Sequence, residues 1–315
     1  MAGPAVSGPP EFVALDRRGV DQLLDELERA VPTHPPLLRL SAETTAEHAV
    51  VFGDTHGDWR STADVVRGFT AWPTPCLLIG LGDYVDRFPP DCPHGSVANA
   101  LYLLSLAARS PDRVILIQGN HETARRIPVV PHTLPHEVYD LWGHDPDRYL
   151  RILMLLERGP LAVATANGAY LAHAGFLRQL QSPDWVASYL RPDEAALCEL
   201  VWAECDASRS RRGATRPWGA RDLERFLGTT GLRLLLRGHD PDLCGTPLYG
   251  DRALTLQTTR IYERYGGVIA ATFPLRTPLT SISSVRVHHL ATEGRTYAVD
   301  GPVPPGGPRG SSRLP

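Results

Sequence analysis

The sequence of 315 residues predicts an α/β fold, because short apolar runs alternate along it with amphipathic helical patterns. Five of these runs are followed within a few residues by glycine, as expected of strands buried on both faces. The runs cover residues 49–52, 76–81, 114–117, 169–171 and 232–236. Apolar residues at helical spacing predict helices over residues 16–31, 60–68, 96–109 and 146–157. The expected architecture is therefore a sheet covered by helices.

Further features predict how the first helix ends, how the chain finishes and where loops lie. The predicted helix over residues 16–31 ends at Pro32, which cannot continue it. The last third of the chain predicts strands that complete a second sheet in the same domain, over residues 253–258, 267–273, 284–290 and 296–299. Two proline-containing segments, 89–93 and 128–136, are predicted to be irregular loops that either wall the site or only connect elements.

The chain is predicted to form one domain over residues 11–300, because its functional motifs run from Asp54 to His239. Residues 1–10 and 301–315 are rich in glycine, proline and serine, and we expect both ends to be disordered.

Composition excludes several classes of function. The net charge is -3, so there is no basic excess to hold nucleic acid, and a nuclease is disfavoured. The N-terminus lacks the features of a signal peptide, and no apolar run approaches the ~20 residues of a membrane span. The five cysteines are scattered, which favours reduced thiols and a cytoplasmic location over a disulfide framework.

Five polar segments carry the functional prediction. Each follows a predicted strand, and sheets of this class bind ligands at the carboxyl ends of their strands. The segments are Gly53-Asp54-Thr55-His56-Gly57, Gly82-Asp83-Tyr84-Val85-Asp86-Arg87, Gly119-Asn120-His121-Glu122, Ala172-His173-Ala174-Gly175 and Arg237-Gly238-His239-Asp240. Any one of them would mean little, but all five in this order indicate a phosphoesterase that uses two metal ions.

Hydrolysis of a phosphate ester needs a nucleophile at neutral pH and positive charge around the phosphoryl oxygens. Two divalent ions ~4 Å apart supply both. The candidate ligands combine oxygen and nitrogen donors, a mixture typical of Mn, Fe or Zn; they are Asp54, His56, Asp83, Asn120, His173 and His239. Among them Asp83 is the natural bridging carboxylate, and Asn120 adds an oxygen without adding negative charge.

With these segments the chain resembles the serine/threonine phosphoprotein phosphatase (PPP) family of the calcineurin-like metallophosphoesterases, over roughly residues 16 to 266. The resemblance implies two mixed β-sheets in a sandwich flanked by helices. It also implies two divalent metal ions, of which manganese is favoured and iron or zinc are alternatives. The implied reaction is direct attack on phosphorus by a hydroxide that bridges the metals, without a phosphoenzyme.

The resemblance also implies a role for individual residues. The first metal would be bound by Asp54, His56 and Asp83, and the second by Asp83, Asn120, His173 and His239. The general acid that protonates the leaving alkoxide would be His121, held by Asp86. The phosphate oxygens would be bound by Arg87 and Arg212, whose planar guanidinium groups suit this task, with Tyr262 nearby.

Four positions depart from the family pattern. Phe88 replaces a glycine, Gln118 an arginine and Ala174 a glycine, and Glu204 lies in a segment that usually reads Trp-Ser-Asp-Pro. No predicted ligand, acid or acid-orienting residue is lost, so hydrolysis remains the expected reaction. The departures weaken the prediction of a protein substrate, and the loss of an arginine at position 118 would lower the positive field of the site.

Three functions remain in competition. The leading one is a metal-dependent phosphomonoesterase acting on phosphoserine and phosphothreonine in proteins. The second is a hydrolase of small phosphate compounds, such as dinucleoside polyphosphates or phosphorylated metabolites. The third is a binding module that keeps the fold without catalysis, which retention of the ligands and of the acid pair disfavours. The oligomeric state and regulatory partners are left open by the sequence.

The other histidines and cysteines are interpreted as structural. The remaining histidines lie outside the motifs and are expected to be structural or solvated, including His132, His136, His144, His288 and His289. Cys198 and Cys205 are not accompanied by the phosphate loop that a cysteine nucleophile needs.

Overall fold

Two mixed β-sheets lie face to face in the computed structural model, which describes residues 9–290 apart from 73, 181–183 and 211. Helices cover both outer faces of the pair. The predicted α/β sandwich flanked by helices is therefore confirmed.

The helices and strands alternate along most of the chain. The helices are α1 (Pro9–Val13), α2 (Arg17–Ala30), α3 (Trp59–Thr70), α4 (Gly95–Arg109), α5 (Leu134–Trp142), α6 (Pro146–Leu156), α7 (Glu194–Val201) and α8 (Ala220–Thr230). The strands are β1 (Leu37–Leu40), β2 (His48–Phe52), β3 (Cys76–Gly80), β4 (Val114–Leu116), β5 (Ala162–Thr165), β6 (Ala169–Ala172), β7 (Leu234–Arg237), β8 (Pro247–Leu248), β9 (Ala253–Thr255), β10 (Ile269–Pro274) and β11 (Arg286–His289).

The order of strands brings the predicted motifs to one edge. One sheet has the order β1-β5-β6-β7-β9-β8, and the other has the order β11-β10-β2-β3-β4. The pairs β2–β3, β3–β4, β6–β7 and β7–β9 are parallel, so the carboxyl ends of these strands point the same way within each sheet. A bridge between Asp54, after β2, and Gln257, after β9, joins the two sheets at this edge.

Alternation of side chains explains the layers. In β2, Val51 faces an apolar core between the sheets, where it packs with residues such as Ile79 and Leu236. Val50 and Phe52 point the other way, into the core beneath helices α2 to α6. A third core lies between the β1-β5-β6-β7-β9-β8 sheet and helices α7 and α8. Burial on both faces is why these strands have continuous apolar sequences.

Several sequence predictions need correction. Helices α5, α7 and α8 and strands β1 and β5 are not among the predicted elements. The segment 128–136 is predicted to be irregular, but helix α5 begins within it, at Leu134. Pro135 does not prevent this, because proline is tolerated in the first turn of a helix. Helix α1 begins at Pro9, so the prediction of disorder is wrong for residues 9 and 10.

Other predictions concern residues outside the described part of the chain. The strand expected over 296–299 and the disordered tail over 301–315 both lie there, as do residues 1–8. The single domain over residues 11–300 stays a prediction. Every helix in the described residues is too short or too polar to cross a membrane.

A buried carboxylate on α5 helps to position the site edge. Glu137 accepts hydrogen bonds from the backbone N–H of Ser96 (2.9 Å), from the Ser96 hydroxyl and from the Thr133 hydroxyl (2.9 Å). The Ser96 hydroxyl in turn accepts from the backbone N–H of Asp86 (2.8 Å). Burial raises the pKa of Glu137 to about 7, from an ordinary value of 4.5.

Replacing Glu137 with glutamine should therefore change how stability depends on pH. Protonated Glu137 stabilises the folded state, and this stabilisation is complete below the pKa of 4.5 that the group has in the unfolded chain. It is lost as the pH rises through the folded-state pKa of about 7. Between pH 5 and pH 8 the wild type should lose up to about 3 kcal/mol of unfolding free energy relative to Glu137→Gln. Denaturant unfolding at both pH values measures this. The exposed Glu224→Gln on α8 is the control, and identical pH curves for wild type and Glu137→Gln would contradict the assignment.

Candidate functional site

Five predicted site residues have positive φ angles, which are unfavourable for residues other than glycine. His56, Asp83, Asp86, Arg87 and His239 have φ angles of 44°, 55°, 66°, 58° and 70°. This left-handed conformation costs a residue with a Cβ about 1–2 kcal/mol. Because all five occur where the strand ends converge, the surrounding contacts must hold the loops in this form, as is common at functional sites.

The first group of candidate ligands surrounds one oxygen of Asp83. His56 Nδ1 donates to the carbonyl of Val85 (3.0 Å), so in the neutral ring Nε2 is free of a proton. His56 Nε2 lies 3.6 Å from Asp83 Oδ2 and 4.0 Å from Asp54 Oδ2. All three side chains are almost completely buried. The structure thus brings together Asp54, His56 and Asp83 as the sequence predicts.

The second group surrounds the other oxygen of Asp83. His173 Nδ1 donates to the carbonyl of Leu81 (2.9 Å), which leaves Nε2 of the neutral ring unprotonated. His173 Nε2 lies 3.4 Å from Asp83 Oδ1, 2.9 Å from Asn120 Oδ1 and 3.1 Å from His239 Nδ1. The four side chains predicted to bind the second metal are therefore in mutual contact.

This arrangement fits cations. Ligand atoms of His56, Asp83 and His121 lie within 4.8 Å of one another, as do those of Asp83, His173 and His239. In the neutral ring of His173, an unprotonated nitrogen faces the acceptor oxygens of Asn120 and Asp83, and a positive ion between them would stabilise this arrangement. With Asp83 in both groups, the fold and its clustered His and Asp residues indicate a site for two divalent metal ions.

The pKa values follow from burial and mutual proximity. Burial raises the pKa of Asp54 to about 6, and the nearby charge of Asp83 adds to this. Burial also lowers the pKa of His56 to about 3, which favours the neutral ring that binds metals. For Asp83 burial acts to raise the pKa, but His173, His121 and His56 outweigh it and lower the pKa. An ionised Asp83 therefore adds negative charge beside the neutral ring of His56.

His121 and Asp86 form the predicted pair. Asp86 Oδ2 is in a short hydrogen bond with His121 Nδ1, and both side chains are buried. The other ring nitrogen, Nε2, is buried without a hydrogen-bond partner among the described residues, 3.9 Å from Asp83 Oδ2. Burial acts to lower the pKa of His121, but the carboxylates of Asp83 and Asp86 outweigh it and raise the pKa.

The carboxylate of Asp86 has a second imidazole partner, which favours the structural over the solvated interpretation of His132. His132 Nδ1 lies 2.9 Å from Asp86 Oδ2, and His132 Nε2 lies 2.9 Å from the hydroxyl of Tyr149. His132 is thus in direct contact with the predicted acid pair and is not a solvated residue. Its only sequence signal is its place in the segment 128–136, shortly after the third motif.

Glu122 is another residue to which sequence reasoning assigns no role. Its carboxyl oxygens accept hydrogen bonds from the backbone N–H groups of Asp83 (2.7 Å), Tyr84 (2.9 Å) and Gly119 (2.8 Å). Burial raises its pKa to about 8, and the charge of Asp83 adds to the effect. Glu122 therefore fixes the second motif against the third. Its position as the acidic fourth residue of the third motif is the available signal.

Arg87 and Tyr262 line the same space. Arg87 Nη1 donates to the Tyr262 hydroxyl (2.9 Å), and the Tyr262 ring packs edge-on against His56 at 5.6 Å between centroids. The neighbouring Arg260 forms an ion pair with the buried Asp58, which anchors this part of the chain. Arg87 and Tyr262, two of the three residues predicted at the phosphate, therefore lie at the edge of the first ligand group.

Arg212 also contacts a candidate ligand, and its guanidinium group lies beside two acidic side chains. Its Nη1 donates to His239 Nε2 (2.8 Å) and lies 3.3 Å from Glu204 Oε1 and 3.5 Å from Asp240 Oδ1. The Glu204 carboxylate also accepts from the backbone N–H of Arg212 (2.9 Å). Glu204 thus fixes the position of Arg212 beside the second ligand group.

The four departures from the family pattern lie in different surroundings. The Gln118 amide donates to the backbone carbonyls of Glu157 (2.9 Å) and Gly159 (2.5 Å), so it connects to the link between α6 and β5. Gln118 therefore bonds to the backbone of this link, and the lower positive field expected from the loss of an arginine stays a prediction. Ala174 is fully buried, and Phe88 is partly exposed.

Gly238 leaves room for the carboxylate of Asp54, because a Cβ at position 238 would lie 2.1 Å from Asp54 Oδ1. We expect Gly238→Ala to displace Asp54 and to weaken Mn²⁺ binding about 10–100-fold, as loss of support around a ligand does elsewhere. The control is Gly228→Ala on α8, where a Cβ would meet nothing within 4 Å. It should bind Mn²⁺ normally and gain roughly 0.5–1 kcal/mol of stability. Calorimetric titration measures both affinities, and equal values would contradict the close approach.

Comparisons with known proteins agree with this fold and identify the family. A protein serine/threonine phosphatase from Saccharomyces cerevisiae with similarity to human phosphatase PP5 matches with a TM-score of 0.64 and 21% identity, covering 85% of this chain and 82% of the other. A cold-active protein tyrosine phosphatase matches with a TM-score of 0.52 and 13% identity, covering 83% and 79%. At these identities the likeness concerns the fold. The model of the calcineurin-like phosphoesterase family matches residues 48–243, and the chain belongs to this family.

Proposed function

We propose that the protein is a metal-dependent phosphomonoesterase resembling a serine/threonine protein phosphatase. One observation supports this most directly: the unpaired, buried Nε2 of His121 faces Asp83, which both groups of candidate ligands share. A general acid must lie beside the metal-bound phosphate, and His121 would take that role.

The six residues Asp54, His56, Asp83, Asn120, His173 and His239 would hold two divalent ions. When bound, these ions supply water of lowered pKa and positive charge around the phosphoryl oxygens. The mixed oxygen and nitrogen donors favour manganese, with iron or zinc as alternatives. Since the site is buried among carboxylates, the ions would also neutralise charge that is otherwise costly to bury.

In the proposed reaction, the oxygen of a water molecule forms a bond to phosphorus and the ester P–O bond breaks. The electron pair of that bond stays on the leaving oxygen, which takes the proton from His121 Nε2. The attacking water gives up a proton to the solvent, and His121 regains one over the cycle. Asp86 would hold His121 at Nδ1 and stabilise the protonated ring.

The phosphate group would be bound at the rim by guanidinium groups. Arg87, already bonded to Tyr262, lies beside the first ligand group, and a planar guanidinium can donate two hydrogen bonds to phosphate oxygens. Arg212 would contribute from the second group once its contact with His239 Nε2 is released. The proposed substrate is a phosphoprotein, and a cytoplasmic location is proposed with it.

One observation favours the alternative, a hydrolase of small phosphate compounds. Glu204 and Asp240 lie within 3.5 Å of the Arg212 guanidinium, so part of its positive charge is compensated. A weaker positive field at the rim would suit a substrate that the protein binds through other groups as well as through its phosphate. Dinucleoside polyphosphates and phosphorylated metabolites belong to this class.

The reaction is tested by His121→Asn, which removes the acid and keeps a polar side chain. With Mn²⁺ the wild type should release phosphate from a phosphoserine peptide, and the variant should lose about 10²–10⁴-fold in kcat. His136→Asn, exposed on α5, is the matched histidine control and should keep wild-type rates. Circular dichroism confirms that each variant is folded.

Wild-type kcat in His121→Asn would contradict the assigned acid. A strong preference of the wild type for a nucleotide over the phosphopeptide would place the small-molecule alternative first. Protein that binds no Mn²⁺ and hydrolyses no aryl phosphate would instead favour a binding module without catalysis.

A further inference from the structure

We infer that His132 is a positioning residue for acid catalysis, acting through the carboxylate of Asp86. This rests on the proposed function, because it assigns His132 to the same acid, His121. It adds a residue from the segment between β4 and α5 to the pair formed by Asp86 and His121.

The contact that carries the inference is a shared oxygen. Asp86 Oδ2 is bonded to His121 Nδ1 on one side and to His132 Nδ1 (2.9 Å) on the other. Asp86 is completely buried, and the His132 side chain is 18% exposed. His132 therefore separates the carboxylate from solvent and gives it a second hydrogen bond.

The other ring nitrogen of His132 fixes its orientation. Nε2 lies 2.9 Å from the hydroxyl of Tyr149 on α6, and the two rings meet at a steep angle with centroids 5.6 Å apart. With a proton on Nδ1 donated to Asp86, the neutral ring accepts the Tyr149 hydroxyl proton at Nε2. Tyr149, His132, Asp86 and His121 thus form one continuous chain of hydrogen bonds.

The remaining oxygen of Asp86 is held by residues adjacent to His132. Asp86 Oδ1 accepts from the backbone N–H groups of Thr133 (2.6 Å) and Leu134 (2.9 Å), at the start of α5. Asp86 itself has a left-handed φ of 66°. Donors at the start of α5 thus hold Oδ1, and the two imidazoles hold Oδ2, so both sets of hydrogen bonds resist rotation of the carboxylate.

Loss of the His132 contact should therefore act on proton donation more than on binding. Without it, Oδ2 has one donor fewer, so the carboxylate is held less firmly and His121 presents Nε2 less accurately to the leaving oxygen. That oxygen must gain a proton when it is a basic alkoxide and needs one much less when it is 4-nitrophenoxide. The expected defect thus grows with the basicity of the leaving group.

The experiment compares kcat of four variants on 4-nitrophenyl phosphate, phenyl phosphate and a phosphoserine peptide with Mn²⁺. His132→Leu removes both hydrogen bonds, and His132→Asn keeps an N–H group near the position of Nδ1. Tyr149→Phe removes only the outer hydrogen bond, and His136→Asn is the matched control on the same segment. Circular dichroism and Mn²⁺ titration check that each variant is folded and binds metal.

We expect His132→Leu to lose about 10–100-fold in kcat on the phosphopeptide and less than about threefold on 4-nitrophenyl phosphate, with KM little changed. His132→Asn should recover most of the loss, Tyr149→Phe should show a smaller defect of the same kind, and His136→Asn should show none. An equal loss of His132→Leu on all substrates, or no loss, would overturn the inference.

The outcome is separable from that of the proposed function. His121→Asn measured on the same substrates gives the full dependence on the leaving group. If wild type is active and His121→Asn shows this dependence while His132→Leu does not, only the role of His132 is wrong. If wild type hydrolyses none of the substrates, or if His121→Asn shows no defect, the proposed function itself is wrong.

Discussion

The site depends on the buried carboxylate of Asp83, which links the two groups of candidate ligands. Its Oδ2 faces His56 Nε2 at 3.6 Å and its Oδ1 faces His173 Nε2 at 3.4 Å. Its backbone is fixed as well, because its carbonyl accepts from the N–H groups of Thr55 (3.1 Å) and His56 (2.9 Å) and its own N–H donates to Glu122. The loop geometry and the ligand geometry are thus set at the same residue.

A comparison with Asp86 shows how one motif gives two carboxylates different roles. Both are buried at residues of left-handed backbone. The oxygens of Asp86 are surrounded by N–H donors from His121, His132, Thr133 and Leu134, so its charge is compensated by the protein. Asp83 accepts one backbone hydrogen bond, from His121 (3.1 Å), and otherwise faces histidine nitrogens. Asp83 therefore suits cations, and Asp86 suits an imidazole proton donor.

The sequence predicts the parts of this structure that are local. Strands β2, β3, β4, β6 and β7 are recoverable because burial on both faces leaves continuous apolar runs, and the ligand residues follow them directly. Helix α8 also has a signal in Leu223, Phe226 and Leu227, whereas the eight-residue α7 is too short for a clear period. The contact of His132 with Asp86 joins residues 46 positions apart and depends on the tertiary path of the chain. No spacing rule reports such a contact.

Metal stoichiometry tests the central role of Asp83 most directly. Isothermal titration of the metal-free protein with Mn²⁺, combined with elemental analysis, should give two ions per chain for the wild type. Asp83→Asn should bind fewer than two ions, because it loses the charge that both groups share, while Asp242→Asn outside the ligand set should still bind two. A wild type that binds one ion or none, or Asp83→Asn with two ions at wild-type affinity, would contradict the account.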